Sequence, residues 1–375
     1  VKVYLLETKT TSEDLGPGST FWKRTILDPQ LSLYLPALRK MGHDPHGCVY
    51  DVLRKPGQLP STVALLDEQG LKIVLDASGQ RVTTKAGKWR QTGDADAGYV
   101  LQSRPETPEE YGLRCLEAIA ENPDRYYARG VVVRLESDER EAAFDTWNTA
   151  TQMREARRLN IYPRNPDSCV NWGRECDYLN VCAGMADIND PLFFRFEEDV
   201  HEELAEEGVA TKLTDDASLL TQSAMRAYRS CPRKFQLRYV ARIRPIKKPE
   251  TLTTGHSVHA ALDAFRRTGG DIDAAKKALE TEDLFVRAKE EAMLMGYAAR
   301  WGKPTGVVAI EQTFRIPLIN PDTGAASRTF SLGGRVDAIV SADSAQELMS
   351  AMPVVPADNL EATLEASIKQ LEGVP

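Results

Sequence analysis

The sequence predicts an α/β fold. Two observations carry that expectation. Strand-like apolar runs at 1–6, 47–53, 130–135, 307–311 and 329–340 are interspersed with helical stretches along 375 residues. Gly-, Pro- and Ser-rich turns separate these segments, with no internal repeat and no low-complexity tract.

Composition bounds the class. The chain is 42% hydrophobic and 27% charged, as in a soluble protein with one large domain or two modest ones. No apolar run reaches the ~18–20 residues of a membrane span. The amino-terminal run breaks at Glu7, too early for a signal peptide. A cytoplasmic protein without a membrane partner is expected. Six cysteines in such a chain favour metal binding or burial over a disulfide framework. The net charge of −8 argues against nucleic-acid binding by the whole surface, so clustering of basic residues matters more than their sum.

Residues 1–56 open with the strand run and Glu7-Thr8-Lys9. Glu7 and Lys9, two apart on a strand, share a face. Asp28-Pro29 reads as an N-cap and first helical residue, and Gln30 and Tyr34 share one face of the helix that follows. Pro36 is expected to kink or end that helix. A second strand follows at 47–53. Residues 57–160 read as an extension: small hairpins to about 103, a helix from Glu109 to about Ala120, a strand at 130–135, and a charged helix capped by Ser137 and ending near Leu159.

Residues 161–184 hold Cys169, Cys176 and Cys182 with little periodicity, as in a compact irregular segment held by something other than a core. Residues 185–212 read as an acidic linker, with 197–208 a solvated helix or loop. The chain then restarts, and 213–340 contains Cys231-Pro232-Arg233-Lys234-Phe235. Nine Lys or Arg and no Asp or Glu lie between Arg226 and Lys248, with Phe235 and Tyr239 interleaved. That pattern suits a groove along a phosphate backbone, with Arg226, Arg229, Arg233, Lys234 and Arg238 as contacts. His259 is placed at the start of a helix over 260–267, and helical sequence continues to about Trp301. Residues 341–375 form a tail with an apolar stripe, Leu360, Leu364, Ile368 and Leu371, on a helix at 358–372.

Glu7, Asp337 and a neutral His259 can make a site for a hard divalent ion, Mg²⁺ or Mn²⁺. Such an ion activates water and stabilises charge on a phosphate, and Lys9 can orient that water. His256 reads as incidental, Glu311 as a strand-end surface acid with a further acid near the metal as the alternative, and Cys48 and Cys115 as buried thiols.

Taken together, Cys231-Pro232-Arg233-Lys234-Phe235, Gly255 with His259, Gly334 with Asp337, Glu7-Thr8-Lys9, and Gln30 with Tyr34 resemble the PD-(D/E)XK nuclease superfamily in its RecB-like exonuclease branch. That branch includes the AddB subunit and the CRISPR-associated RecB-like exonucleases. The resemblance implies a restriction-endonuclease-like core, a central mixed sheet flanked by helices. It implies metal ligation by His259, Asp337, Glu7 and the Thr8 carbonyl, Lys9 as the catalytic lysine, and Gln30 and Tyr34 on the DNA-facing side. The implied activity is metal-dependent cleavage of DNA, exonucleolytic on single-stranded or free ends, in recombination, repair or phage DNA processing beside a recombination or helicase partner. By spacing alone, Cys169, Cys176, Cys182 and Cys231 suit a 4Fe-4S cluster or a zinc ion equally. The resemblance favours the iron–sulfur cluster, stapling the irregular segment to the Cys231 helix.

The motif order is rotated. The Asp337 strand precedes the Glu-x-Lys strand in the family, whereas here Glu7 comes first. Joining tail to head restores the order, as in a circular permutation with the original termini near 200–212. A permuted protein, a reading frame cut at the ends of a circular genome and an artificially joined chain all predict the same fold. The expectation is that strands 1–9 and 331–340 are antiparallel neighbours. The alternative function is a catalytically inactive DNA-binding accessory protein with a structural iron–sulfur or zinc site.

Overall fold

Lys2–Thr11 forms a strand, β1, inside a six-stranded sheet. The computed structural model describes residues 1–171, 173–204, 216–246, 250–343 and 345–349. The other strands of the sheet are β2 (Pro45–Arg54), β3 (Tyr127–Val132), β4 (Leu219–Leu220), β5 (Val307–Ile319) and β6 (Ala326–Ala342). Their order is β4-β6-β1-β2-β3, and β5 also pairs with β6. β1 is parallel to β2 and antiparallel to β6, so the sheet is mixed, as expected, and the two distant strands are neighbours.

The β1–β6 ladder runs from Lys2↔Ala342 to Leu6↔Ala338 and stops there. β5 follows β6 along almost its whole length, so β1 and β4 must share the opposite edge. β4 meets that edge at Ser331 and Leu332. Residues 333–337 lie between these two ladders. The next residues, Glu7 on β1 and Asp337 on β6, therefore sit where the strands part.

Helices cover both faces. On one, α1 (Pro29–Lys40), α3 (Glu136–Leu159) and α4 (Gln222–Ser230) pack Leu31, Leu35, Leu38, Met153 and Met225 against Leu5, Tyr50 and Val52. On the other, α2 (Pro108–Glu121), α5 (Glu250–Arg267) and α6 (Leu284–Trp301) surround Leu53 and Tyr127. Asp28 caps α1 by accepting from the Gln30 N–H, as the Asp-Pro pair predicts. Pro36 does not end this helix, which continues to Lys40. Leu31, Leu35 and Leu38 are all buried. At about 2 kcal/mol each, their burial outweighs the roughly 3 kcal/mol that a mid-helix proline costs.

Other boundaries also move. The strand expected at 130–135 is Tyr127–Val132, paired to β2, and α3 packs into the main core. Residues 127–159 therefore belong to the core rather than to an extension. Helix α3 is entered at Leu135, whose N–H is taken by Asp138, and Ser137 already lies in its first turn. Helix α5 begins at Glu250, so His259 lies in its middle rather than at its start. In the acidic stretch, Val200, His201 and Leu204 are buried, and Arg244 donates to the Val200 carbonyl. That part is docked, not solvated. The hairpin region has a short regularity that was not expected: Asp67-x-x-Gly70 and Asp76-x-x-Gly79 make matching turns, each Asp Oδ1 accepting from backbone N–H groups two and four residues on. The helix read at 358–372, the restart near 211 and the junction at 205–212 lie outside the described residues.

Candidate active site

Glu7 is buried at the point where β1 leaves β6. Its Oε1 accepts from Lys9 Nζ at 2.6 Å and from Gln30 Nε2 at 2.8 Å. Lys9 Nζ also donates to Gln30 Oε1 at 2.9 Å, which closes a triangle of Glu7, Lys9 and Gln30. The other oxygen, Glu7 Oε2, is buried with no hydrogen-bond partner. Burial first, and the nearby Asp337 carboxylate second, push the Glu7 carboxyl up to about 8. Burial works against the Lys9 ammonium, but the Glu7 and Asp28 carboxylates outweigh it and hold its pKa above the usual lysine value.

Asp337 closes the site from β6. Its Oδ2 accepts from the Thr8 N–H at 2.7 Å and lies 3.8 Å from His259 Nδ1. Burial lowers the His259 pKa despite the Asp337 charge, so the imidazole is neutral near pH 7 and fit to ligate a metal. Gly255, four residues earlier, explains how α5 comes so close: a Cβ there would stand 3.1 Å from Thr10 Oγ1 on β1.

Two acids add to this cluster. Asp263 follows His259 by four positions on α5, and its charge helps to raise the Glu311 carboxyl. The register of β5 against β6, Ile310↔Ala338 and Gln312↔Val336, sets Glu311 opposite Asp337. Glu311 adopts a φ of 55°, in the left-handed region that a glutamate rarely visits outside functional sites. It also pairs with Arg335 at 2.8 Å. Burial and the Asp263 charge push its carboxyl up to about 8, and burial raises Asp263 as well. Glu311 is thus not a surface acid. The i, i+4 spacing from His259 was the available signal for Asp263. For Glu311 it was the strand register, which the sequence leaves undetermined.

Tyr34 lies one turn beyond Gln30 on α1, as expected, but its ring is buried edge-on against Phe314 with centroids 5.4 Å apart. It packs over Gly334, where a Cβ would come within 2.8 Å of the Tyr34 ring. The ring is therefore part of the core. His256 is exposed, 3.5 Å from Glu280.

The cluster brings four carboxylates and a neutral imidazole together, with Lys9 and Arg335 paired to two of them, and contains an orphaned buried oxygen. That donor set fits a hard divalent ion. Among the described residues, no group of three or more His, Cys, Asp or Glu side chains is placed so as to hold a metal ion.

A second locus lies between residues 163–184 and the Cys231 helix. Cys169, Cys176, Cys182 and Cys231 line one cavity of about 420 Å³, with Arg164 and Lys234 at its wall. All four are free thiols, and burial raises the pKa of Cys176 and Cys182. The segment is docked by hydrogen bonds as well: Asn165 Nδ2 donates to the Ser230 carbonyl at 2.8 Å and the Tyr178 hydroxyl to the Ile243 carbonyl at 2.6 Å. Cys48 and Cys115 are buried, as read.

The basic run divides in two. Arg226 and Arg229 are exposed on α4, and Arg233, Lys234 and Arg238 are half-buried. Phe235 and Tyr239 do not line a groove: they stack on one another 5.6 Å apart inside the core, four residues apart on one helical face. Arg244 is likewise buried. Lys247 and Lys248 lie outside the described residues.

A model of the PD-(D/E)XK nuclease superfamily matches residues 219–349. The matched span includes His259, Asp263, Glu311 and Asp337, whereas Glu7 and Lys9, brought in by the β1–β6 pairing, and Gln30 and Tyr34, carried on α1, lie outside it. The mixed sheet with flanking helices is consistent with a restriction-endonuclease-like fold, and the match suggests a nuclease of a superfamily that typically uses Mg²⁺ or Mn²⁺. Searches of curated proteins and of solved structures give no match. No helix among the described residues is long and apolar enough to cross a membrane.

Proposed function

We propose that the protein is a metal-dependent DNA nuclease of the RecB-like kind, cleaving phosphodiester bonds from single-stranded or free ends. The observation that carries this is the meeting of Glu7, Lys9 and Asp337, with Glu7 Oε2 unsatisfied beside them. Glu7, Asp337, the Thr8 carbonyl and His259 would hold Mg²⁺ or Mn²⁺. When bound, the ion activates a water and offsets charge on the scissile phosphate. Lys9 presents its ammonium to the attacking water and the phosphate oxygens, held in place by Gln30. Asp263 and Glu311 supply further negative charge that favours a divalent ion. Arg226 and Arg229, exposed on α4, would take DNA phosphates.

Two further parts belong to this reading. The four cysteines at one cavity would hold a metal group acting as a structural staple, and the resemblance to the RecB-like branch favours a 4Fe-4S cluster over zinc. The adjacency of β1 and β6 supports a circularly permuted nuclease core. The test is cleavage of end-labelled single-stranded DNA with Mg²⁺ or Mn²⁺, wild type against Lys9→Ala. Equal cleavage by both, or none by the wild type, refutes the nuclease reading. A visible absorption band of anaerobically purified protein, bleached by dithionite, separates the cluster from zinc.

A further inference from the structure

Arg266 is 6% exposed and touches three elements at once. Its Nη2 donates to Thr8 Oγ1 on β1 at 2.7 Å. The same nitrogen lies 3.5 Å from Asp51 Oδ2 on β2. Its Nη1 donates to Asp263 Oδ1, one turn back on α5, at 3.2 Å. A buried guanidinium is expensive to desolvate and needs partners that justify it.

Neutralising Asp51 does not account for Arg266. Asp51 is already held by Arg129 through two hydrogen bonds, at 3.0 and 3.2 Å, and by the Tyr297 hydroxyl. The hydrogen bonds of Arg266 go to Thr8 and Asp263 instead. Thr8 lies between Glu7 and Lys9, and its N–H is taken by Asp337. Thr8 is thus gripped twice, through its amide by β6 and through its hydroxyl by α5. Both grips hold Thr8 between β6 and α5, and the β1–β2 ladder pairs its backbone with Asp51. Asp263, at the other end of the same guanidinium, is one turn from His259.

We propose that Arg266 is a positioning residue for the metal site, setting the Glu7-Thr8-Lys9 strand against the His259 helix through Thr8 Oγ1 and Asp263. The inference rests on the reading of Glu7 and Asp337 as metal ligands. Residues that orient ligands typically change metal affinity by about 10–100-fold when lost. A lysine at 266 cannot bridge both partners, because one ammonium lacks the planar fork.

The test is Mn²⁺ binding by titration calorimetry, with thermal melting and DNA cleavage on the same samples. Thr8→Val keeps the β-branched shape and removes only the hydroxyl, so it carries the test even if Arg266→Lys folds poorly. Thr8→Val and Arg266→Lys should each weaken Mn²⁺ about tenfold or more, and the double variant should bind no more weakly than the worse single. In cleavage, the Mn²⁺ requirement should rise while KM for DNA stays put. Tyr297→Phe loosens the same buried network without touching β1, and should lower Tm while leaving Mn²⁺ affinity unchanged. Wild-type affinity in Thr8→Val overturns the clamp alone. A wild-type protein that binds no Mn²⁺ overturns the metal-site reading and the clamp with it.

Discussion

The Thr8 N–H donates to Asp337 Oδ2 at 2.7 Å across 329 positions of sequence. The β1–β6 ladder has already ended at Leu6↔Ala338, so this side-chain bond continues the pairing by one step where the strands part. Asp337→Asn can keep an acceptor for that N–H while removing the charge. We expect it to unfold in urea within about 1 kcal/mol of wild type, since the hydrogen bond survives. DNA cleavage should fall by a hundredfold or more, the scale of losing one electrostatic group at a reacting centre. Asp337→Ala, which strands the buried N–H, should cost about 1–3 kcal/mol.

Stability of the metal-free protein should depend on pH through Glu7. Its carboxyl is pushed up to about 8 in the fold, above its value in the unfolded chain. The associated stability is therefore fully present below the unfolded pKa, near 4.5, and is lost as pH rises through about 8. In EDTA, Tm should fall between pH 5 and pH 9. Glu7→Gln should flatten that fall, and Mn²⁺ should stabilise the wild type more at pH 8 than at pH 6. A pH-independent Tm gap between wild type and Glu7→Gln would contradict the assignment.

Tyr34 tests whether a residue read as facing DNA is in fact core. Its ring is buried against Phe314 and over Gly334. Tyr34→Phe keeps both contacts and should change stability by less than about 1.5 kcal/mol, whereas Tyr34→Ala should cost roughly 3–5 kcal/mol. Affinity for single-stranded DNA should be the same in wild type and Tyr34→Phe.

Much of the site was legible because its chemistry is local in sequence. Glu7-Thr8-Lys9, the Asp28-Pro29 cap with Gln30 and Tyr34, and Gly255 with His259 each sit within one strand or one turn, where spacing alone sets the face. Glu311 was legible only as an alternative to a surface acid, because its place depends on pairing with a strand later in the chain and on a left-handed backbone. The basic run misled for a related reason. Phe235 and Tyr239, four apart, look like stacking platforms among arginines, yet the same spacing presents them to Tyr162, Tyr228 and His201 in the interior. Pro36 misled because propensity is local while the burial that overrides it is tertiary.

Glu311→Gln should separate stability from metal binding. The carboxylate is held near Asp263 and Asp337, and burial with these like charges raises its pKa to about 8. Removing the charge should raise the Tm of the metal-free protein at pH 8. It should also weaken Mn²⁺ by about tenfold, because negative charge around a cation sets its affinity. Calorimetric titration beside melting in EDTA reads both. A variant with unchanged Mn²⁺ affinity would place Glu311 outside the metal's reach.

Loss of the proposed cysteine-bound group should be felt locally. Residues 163–184 are tied to the Cys231 region by Asn165 to Ser230, Tyr178 to Ile243 and the Arg233 N–H to the Pro163 carbonyl at 3.2 Å. These bonds do not depend on the thiols, so Cys176→Ser should not undock the segment outright. Without four thiolates, however, nothing joins Cys169, Cys176 and Cys182 to Cys231 covalently across the 420 Å³ cavity. Amides of 166–184 and 231–246 should exchange with deuterium about tenfold faster or more in Cys176→Ser, since each 1.4 kcal/mol of lost local stability is a factor of ten. Amides of β1 and β6, held by their own ladder and by no residue lining that cavity, should keep their wild-type protection. Equal acceleration in β1 and β6 would show that the cysteines support the whole sheet rather than one docked segment.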